Sequence, residues 1–173
     1  SRHLRLRWTP LERLAAALTP SFLSNSEHGA QFLTTALRVS PALISVVYNA
    51  VAPPTNLDTV MAMRSRDRFT AVMIANLQPN KDHVTVLHGW RAFLDSINPG
   101  FPLPKLLFLG RRGSTYTAID SLVSQLQLTD SVEILGEVNN VYSYLVQCDV
   151  ALHAAKDEGL PNAVLEEMVC GLP

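Results

Sequence analysis

Cysteine is scarce in this sequence, and the two that occur, Cys148 and Cys170, lie in separate apolar segments. Two isolated cysteines cannot form a disulfide framework, so we expect buried free thiols in a protein of a reducing compartment. An excess of either charge is also absent, because 14 Lys and Arg residues stand against 15 Asp and Glu residues. A net charge of −1 gives no overall field that attracts a nucleic acid, so we expect no nucleic-acid partner.

Long apolar runs without helix-breaking residues are absent as well. The longest uncharged run, 39–57, contains three prolines and two asparagines, whereas a membrane-spanning helix needs about 20 predominantly apolar residues. No secretory leader is visible, although the sequence does not begin with Met and this absence therefore excludes little. Together with the unpaired cysteines, these features predict a cytoplasmic protein.

Metal-binding and nucleophile motifs are missing. His83 and His88 are five residues apart, which places them on different faces of a helix, and the histidines form no metal-ligand pattern. No G-x-S-x-G nucleophile motif occurs. The segment 110–113 (GRRG) lacks the full spacing of a dinucleotide-binding loop, so a tight strand-to-helix turn is favoured over a nicotinamide site. We therefore expect neither a metal nor a bound cofactor.

The first third of the chain contains short elements that precede a candidate linker segment. Residues 9–12 (TPLE) read as a capping box that opens a helix to Leu18, and a helix that begins at Ser26-Glu27 extends to Arg38. Short strands are predicted at 21–24 and 43–48. The proline-containing stretch 51–56 is the best candidate for a linker.

From Thr70 onward, apolar runs typical of strands alternate with segments of helical periodicity. The predicted strands are Thr70–Leu77, Lys105–Gly110, Val132–Gly136 and Asp149–His153. The predicted helices are 84–97, 119–126, a helix capped by Asn139 or Asn140 that ends at Gln147, and Asn162–Cys170. One helix between successive continuous apolar strands indicates a parallel sheet covered on both faces, which is a doubly wound α/β domain.

Ligands of such sheets bind at the carboxyl ends of the strands, near the point where the strand order reverses. Lys81 follows the first of these strands by four residues. A lone lysine there is usually a solvated loop charge, but a lysine that reaches a diphosphate would occupy the same place. His153 ends the last strand, and we expect it to be a packed or supporting residue.

The most informative pattern is the segment 158–173, EGLPNAVLEEMVCGLP. Pro161 and Asn162 are typical of a helix start, whose free N–H groups bind anions such as phosphate. Glu166, about one turn into the helix, could accept two hydrogen bonds from a vicinal diol such as ribose, whereas Glu167 is expected to face solvent. Alternatively, these carboxylates only stabilise the helix dipole, by about 0.3–1 kcal/mol each, and the spacing alone leaves both interpretations open.

The same segment closely resembles the signature of glycosyltransferase family 4. In that family two glutamates are separated by seven residues, as Glu158 and Glu166 are, within the motifs DEGLPN, LEEM and CGLP found here. Other segments are similar to the family in the same order along the chain, namely 24–27, 46–51, 74–77 with Lys81, 107–110 and 134–138.

The resemblance implies a GT-B architecture with two Rossmann-like domains. The end of the N-terminal domain and its linker would occupy 1–54, and an incomplete C-terminal nucleotide-sugar-binding domain would occupy 55–173. A retaining transferase that needs no metal is implied, with Lys81 neutralising the leaving diphosphate, Glu158 binding the donor sugar and Glu166 the ribose. The implied catalytic residues are Lys81 and Glu158, and the implied donor-binding residues are Asn76, Gly110, Val138, Gly159, Leu160, Pro161, Asn162 and Glu166.

Departures from the family concern three residues and the length of the chain. Asn76 stands where many members carry an arginine, so one diphosphate cation is missing there, and Ala155 and Ala50 replace a common serine and glycine. The sequence also ends where the family continues into a further strand, so we expect a fragment, truncated at both ends and inactive in isolation.

The expected partners are a nucleotide-sugar donor and an acceptor that this sequence does not identify, such as a glycan or a lipid-linked sugar. Peripheral contact with the cytoplasmic membrane face through the N-terminal domain remains open. Two other functions also remain open at this point: a sugar-nucleotide epimerase of the same fold, and a non-catalytic nucleotide-sugar-binding module.

Overall fold

The computed structural model of the chain describes residues 10–55, 57–62, 67–98 and 100–173. The chain divides into two compact units. The first contains the residues up to Ala50 together with Gly159–Pro161, and the second contains Val51–Glu158 and Asn162–Pro173. Within the described ranges, no helix has both the length and the apolar character that crossing a membrane requires.

The first unit contains two helices and a two-stranded parallel sheet. Helix α1 spans Pro10–Leu18, strand β1 Phe22–Ser24, helix α2 Glu27–Ala36 and strand β2 Ile44–Val46, with a short 3-10 turn at Pro41–Leu43. The predicted start of α2 is confirmed, because Ser26 Oγ accepts a hydrogen bond from the Gly29 amide at 3.0 Å. The capping residue predicted for α1, Thr9, lies outside the described residues.

The second unit begins with a helix that the sequence did not predict, α3 (Leu57–Ala62). Strands and helices then alternate along the chain: β3 (Thr70–Ile74), α4 (His83–Ser96), β4 (Lys105–Leu109), α5 (Tyr116–Gln125), β5 (Val132–Gly136), α6 (Tyr142–Leu145), β6 (Val150–Ala151) and α7 (Asn162–Val169). The four strands form one parallel sheet in the order β5-β4-β3-β6. The order reverses at β3, because β4 lies on one side of it and β6 on the other.

Two apolar cores cover the two faces of this sheet. Alternate residues of β3 point to opposite faces, as the pleat requires. Ala71 and Met73 pack in a core with residues of α4 and α5 such as Leu87 and Ile119. Val72 packs instead in a core with buried residues from α6 onward, among them Leu145, Cys148 and Cys170. The predicted α/β class, a Rossmann-like doubly wound parallel sheet, is therefore confirmed.

Several predicted boundaries were wrong. Strand β3 ends at Ile74 rather than Leu77, although the backbone continues to pair through the amide of Ala75 with the Leu109 carbonyl. Strand β6 is only two residues long. Helix α6 is capped by Val141 without a side-chain hydrogen bond, so the predicted asparagine cap is incorrect. The expectation of buried free thiols is confirmed for both cysteines.

Candidate functional site

The loops that follow β3 and β6 lie side by side because these two strands are neighbours in the sheet. Lys81 and Ala155 form an isolated antiparallel bridge, and the amide of Lys156 donates to the Asn80 carbonyl at 2.9 Å. The amide of Asp82 donates to the Ala154 carbonyl at 3.0 Å. These backbone bonds fix the position from which the Lys81 side chain extends.

Lys81 and Glu158, which are 77 residues apart in sequence, form an ion pair between Nζ and Oε1. Their side chains keep only 15% and 22% of their accessible surface. Burial lowers the pKa of Lys81 below its ordinary value, while the adjacent carboxylate favours the charged ammonium. The two residues that the family signature assigns to catalysis thus meet at the carboxyl end of the sheet.

His153 is a third member of this cluster, and its contact with Glu158 was not predicted. Its Nε2 lies 2.6 Å from Oε2 of Glu158, the oxygen that does not face Lys81. Burial lowers the pKa of His153, and the positive charge of Lys81 lowers it further. The available signal was the position of His153 at the end of a predicted strand, but periodicity alone did not indicate its neighbour.

A separate cleft of about 250 Å³ opens where β3, β4 and β5 end. Four of the predicted donor-binding residues line it together: Asn76, Gly110, Val138 and Glu166. Its other lining residues are Ile74, Leu109, Arg111, Glu137, Asn139 and Val141. Asn76 Oδ1 accepts a hydrogen bond from the Arg111 amide at 2.9 Å, which links the loop after β3 to the loop after β4.

Gly110 allows these two loops to approach closely. Its φ angle is +146°, and a Cβ built on it would lie 2.3 Å from the carbonyl oxygen of Ala75. The backbone amide of Gly110 meanwhile donates to the Gly136 carbonyl at 2.9 Å, which continues the pairing beyond the end of β4. A side chain at this position would therefore separate the strand ends that form the floor of the cleft.

Helix α7 brings one carboxylate to the cleft and buries the next one. Glu166 lines the cleft, and burial raises its pKa. Glu167 was expected to face solvent, and this prediction was wrong, because only 5% of its surface is accessible. Residues three positions apart along a helix lie on the same face. Glu167 therefore points to the same side as the buried Cys170, which directly follows the last residue of α7. Burial, and then the charge of Glu166, raise the pKa of Glu167 to about 7.

The remaining predicted donor-binding residues are not among those that line the cleft. Gly159, Leu160 and Pro161 are assigned to the first unit, where Asn49 Nδ2 donates to the Leu160 carbonyl at 3.2 Å. Asn162 begins α7 in the second unit. Among the described residues, no group of three or more His, Cys, Asp or Glu side chains is arranged to hold a metal ion.

An apolar groove of about 360 Å³ lies between α4 and the strand pair β3-β6, with His153 among its lining residues. It is lined by Phe69, Ala71, Val86, Gly89, Trp90, Phe93, Val150, Leu152 and His153. His153 therefore both contacts Glu158 and lines an apolar space.

Comparisons with known proteins match this architecture. The chain is 24% identical over 149 residues to N-acetylgalactosamine-N,N'-diacetylbacillosaminyl-diphospho-undecaprenol 4-alpha-N-acetylgalactosaminyltransferase of Campylobacter jejuni, which covers 86% of this chain and 38% of that protein. It is 26% identical over 141 residues to the phosphatidylinositol N-acetylglucosaminyltransferase GPI3 subunit of Saccharomyces cerevisiae, with 78% of this chain and 30% of that protein covered. The chain thus spans less than two fifths of the length of these relatives.

Solved structures share the fold. The crystal structure of HepE from Anabaena in complex with UDP and glucose gives a TM-score of 0.75 at 16% identity, and the match covers 96% of this chain and 48% of that one. A glycosyltransferase from Rickettsia africae gives a TM-score of 0.75 at 13% identity, with 96% and 47% covered. The family model described as glycosyl transferases group 1 matches residues 63–173, which is more than half of the chain. The chain therefore belongs to the glycosyl transferases group 1 family.

Proposed function

We propose that this chain is the donor-binding part of a retaining glycosyltransferase of family 4, which transfers a sugar from a nucleotide-diphosphate sugar to an acceptor. The observation that carries the proposal is the convergence of Lys81 and Glu158, from loops far apart in sequence, at the same sheet edge as the cleft lined by Glu166. The solved relative HepE was crystallised with UDP and glucose, which supports a nucleotide sugar as the donor.

In this proposal, the cleft receives the nucleoside. The Glu166 carboxylate would accept hydrogen bonds from the two ribose hydroxyls, and the backbone around Val138 would contact the base. Burial favours such a role, since a carboxylate out of bulk water forms stronger hydrogen bonds with hydroxyl groups. Burial also raises the pKa of Glu166, because it disfavours the charged form of the carboxyl group.

Lys81 and Glu158 would act on the diphosphate and the sugar. Breaking the bond between sugar and phosphate leaves negative charge on the leaving diphosphate, and a fixed cation stabilises that charge in the transition state. Lys81 supplies this cation. Glu158 would bind hydroxyls of the donor sugar, and the N–H groups at the start of α7 would face the phosphate.

The proposed activity belongs to a protein that is longer than this chain. The curated relatives are more than twice as long as this chain, so the acceptor site and the remaining catalytic groups would be supplied by segments outside it. A cytoplasmic location belongs to the same proposal, because the free buried thiols of Cys148 and Cys170 suit a reducing compartment.

The products of the full-length protein test this function. A labelled nucleotide sugar is incubated with the protein and with candidate glycan or lipid-linked acceptors, and the anomeric configuration of the new linkage is read by NMR. Transfer with the donor's configuration retained is the expected result. A rearranged free sugar formed without an acceptor would indicate an epimerase instead, and nucleotide-sugar binding without any product would indicate a binding module.

A further inference from the structure

Both oxygens of the Glu158 carboxylate face a nitrogen donor. Lys81 contacts Oε1, and Nε2 of His153 lies 2.6 Å from Oε2. The first contact is a hydrogen bond, whereas the buried Oε2 atom has no aligned hydrogen-bond donor within the described part of the chain. This distance is slightly shorter than the range of about 2.7–2.9 Å for a charge-assisted N–H···O hydrogen bond, so aligning the imidazole N–H with Oε2 requires a change in the orientation of the ring and no closer approach.

The donor diphosphate and Glu158 compete for the same cation. In the proposed function, Lys81 neutralises the leaving diphosphate, but in this structure its ammonium group is engaged by Glu158. When the ammonium turns to the phosphate, a largely buried carboxylate loses its partner, and a buried charge without compensation is strongly unfavourable. The sugar hydroxyls that Glu158 would bind are neutral donors and do not replace the positive charge of Lys81. Glu158 therefore needs a second nitrogen donor that can carry a positive charge when the donor is bound.

The surroundings of His153 allow it to become that partner. His153 lines the 360 Å³ apolar groove, and this open volume leaves space for a rotation of its ring. The groove residues of α4 and β3 are uncharged, and Lys156 and Asp157 of its own loop are exposed. At the start of α4, the Asp82 carboxylate accepts hydrogen bonds from the amide and the hydroxyl of Thr85. Lys81 and Glu158 are thus the charged groups in contact with or nearest to the imidazole.

We propose that His153 is a positioning residue. When the donor diphosphate binds the ammonium group of Lys81, the His153 imidazole replaces Lys81 as the partner of Glu158, so that the carboxylate keeps its orientation toward the donor sugar. The exchange breaks the ion pair between Lys81 and Glu158, forms one between Lys81 and the phosphate, and aligns the imidazole N–H with Glu158. This inference rests on the proposed function.

The exchange changes the proton affinity of His153 in a defined direction. Without a donor, burial and the positive charge of Lys81 lower the pKa of His153. With a donor, the phosphate neutralises Lys81, and the unpaired Glu158 carboxylate attracts a proton to the ring. The midpoint of the His153 titration therefore rises when a nucleoside diphosphate binds.

NMR titration of histidine-labelled full-length protein, with and without UDP, GDP or ADP, measures this midpoint. His153→Gln assigns the resonance, because the variant lacks the signal of this one imidazole. The midpoint should rise on nucleotide binding in the wild type and rise much less in Glu158→Gln, because the diphosphate then acts alone. Equal rises in both proteins, or no rise although a nucleotide binds, would overturn the role of His153 and leave the donor site intact. Failure of every nucleotide to bind would overturn the proposed function together with it.

Steady-state kinetics of His153 variants distinguish a positioning role of this residue from a role in packing alone. His153→Phe keeps a ring but removes the donor, and we expect kcat to fall at least tenfold with little change in the KM for the nucleotide sugar. His153→Gln keeps an N–H donor and should restore most of this loss. His88→Phe, at an exposed position of the same unit, is the control. Equal kcat values for the Gln and Phe variants would refute the positioning role, provided that their melting temperatures agree.

Discussion

The buried carboxyl of Glu167 should make the stability of this protein fall as the pH rises. Only 5% of its surface is accessible, and its pKa is raised from 4.5 to about 7, first by burial and then by the charge of Glu166. Between these two values the folded state binds more protons than the unfolded state, so each rise in pH favours unfolding. Below 4.5 the carboxyl is neutral in both states and costs nothing.

The size of the effect follows from the two pKa values. At about 1.4 kcal/mol per pKa unit, the difference between 4.5 and about 7 amounts to about 3 kcal/mol, reached above pH 7. Glu167→Gln keeps the shape of the side chain and cannot ionise. We therefore expect this variant to match the wild type near pH 4 and to be more stable by up to about 3 kcal/mol at pH 8.

Urea denaturation at pH 4, 6 and 8 measures the difference. Some pH dependence of stability will remain in the variant, because the pKa of Glu166 is also raised. The comparison is therefore between the slopes of the free energy of unfolding against pH in the two proteins. Glu133→Gln, at an exposed position of β5, is the control and should leave the slope unchanged. Parallel pH profiles for wild type and Glu167→Gln, or a loss of stability in the variant at pH 8, would refute the burial and the raised pKa assigned to Glu167.

Two further substitutions test the cleft itself. Gly110→Ala should destabilise the protein by about 2 kcal/mol, because its Cβ would overlap the Ala75 carbonyl. Gly171→Ala is also at positive φ but in open space, and it should destabilise the protein less. Equal urea midpoints for the two variants would contradict the close approach at Gly110. Arg111→Ala should weaken nucleoside diphosphate binding measured by calorimetry because Arg111 lines the cleft, whereas Arg112→Ala, whose guanidinium lies 4.7 Å from the Tyr116 ring centroid, should change it little. Equal losses for the two arginines would indicate a general charge effect.

The alternation of elements in the second unit was readable from the sequence because each strand is a continuous apolar run and each long helix has a clear period. The order of the strands in the sheet could not be predicted from the sequence, and this order decides which loops lie next to each other. Lys81 and Glu158 come together because β6 returns to lie beside β3. The family signature had assigned both residues to one site, but their direct ion pair depends on this tertiary neighbourhood.

The failures have local physical reasons. Glu167 was assigned to solvent because glutamate is rarely buried without a partner, yet its place on α7, three residues before Cys170, turns it inward. The contact between His153 and Glu158 depends on the conformation of an irregular loop after a strand of two residues. The asparagine cap of α6 failed because the helix begins later, at Tyr142.

Titration of the full-length protein with UDP, GDP and ADP by calorimetry tests the central claim most directly. We expect one nucleoside diphosphate to bind selectively and Glu166→Ala to weaken it by about 1.5–3 kcal/mol, the range for hydrogen bonds to a charged group. Asp120→Ala, at an exposed position of α5, is the matched control and should bind as the wild type does. Wild-type affinity in a folded Glu166→Ala variant would contradict the assignment of this cleft to the donor nucleotide.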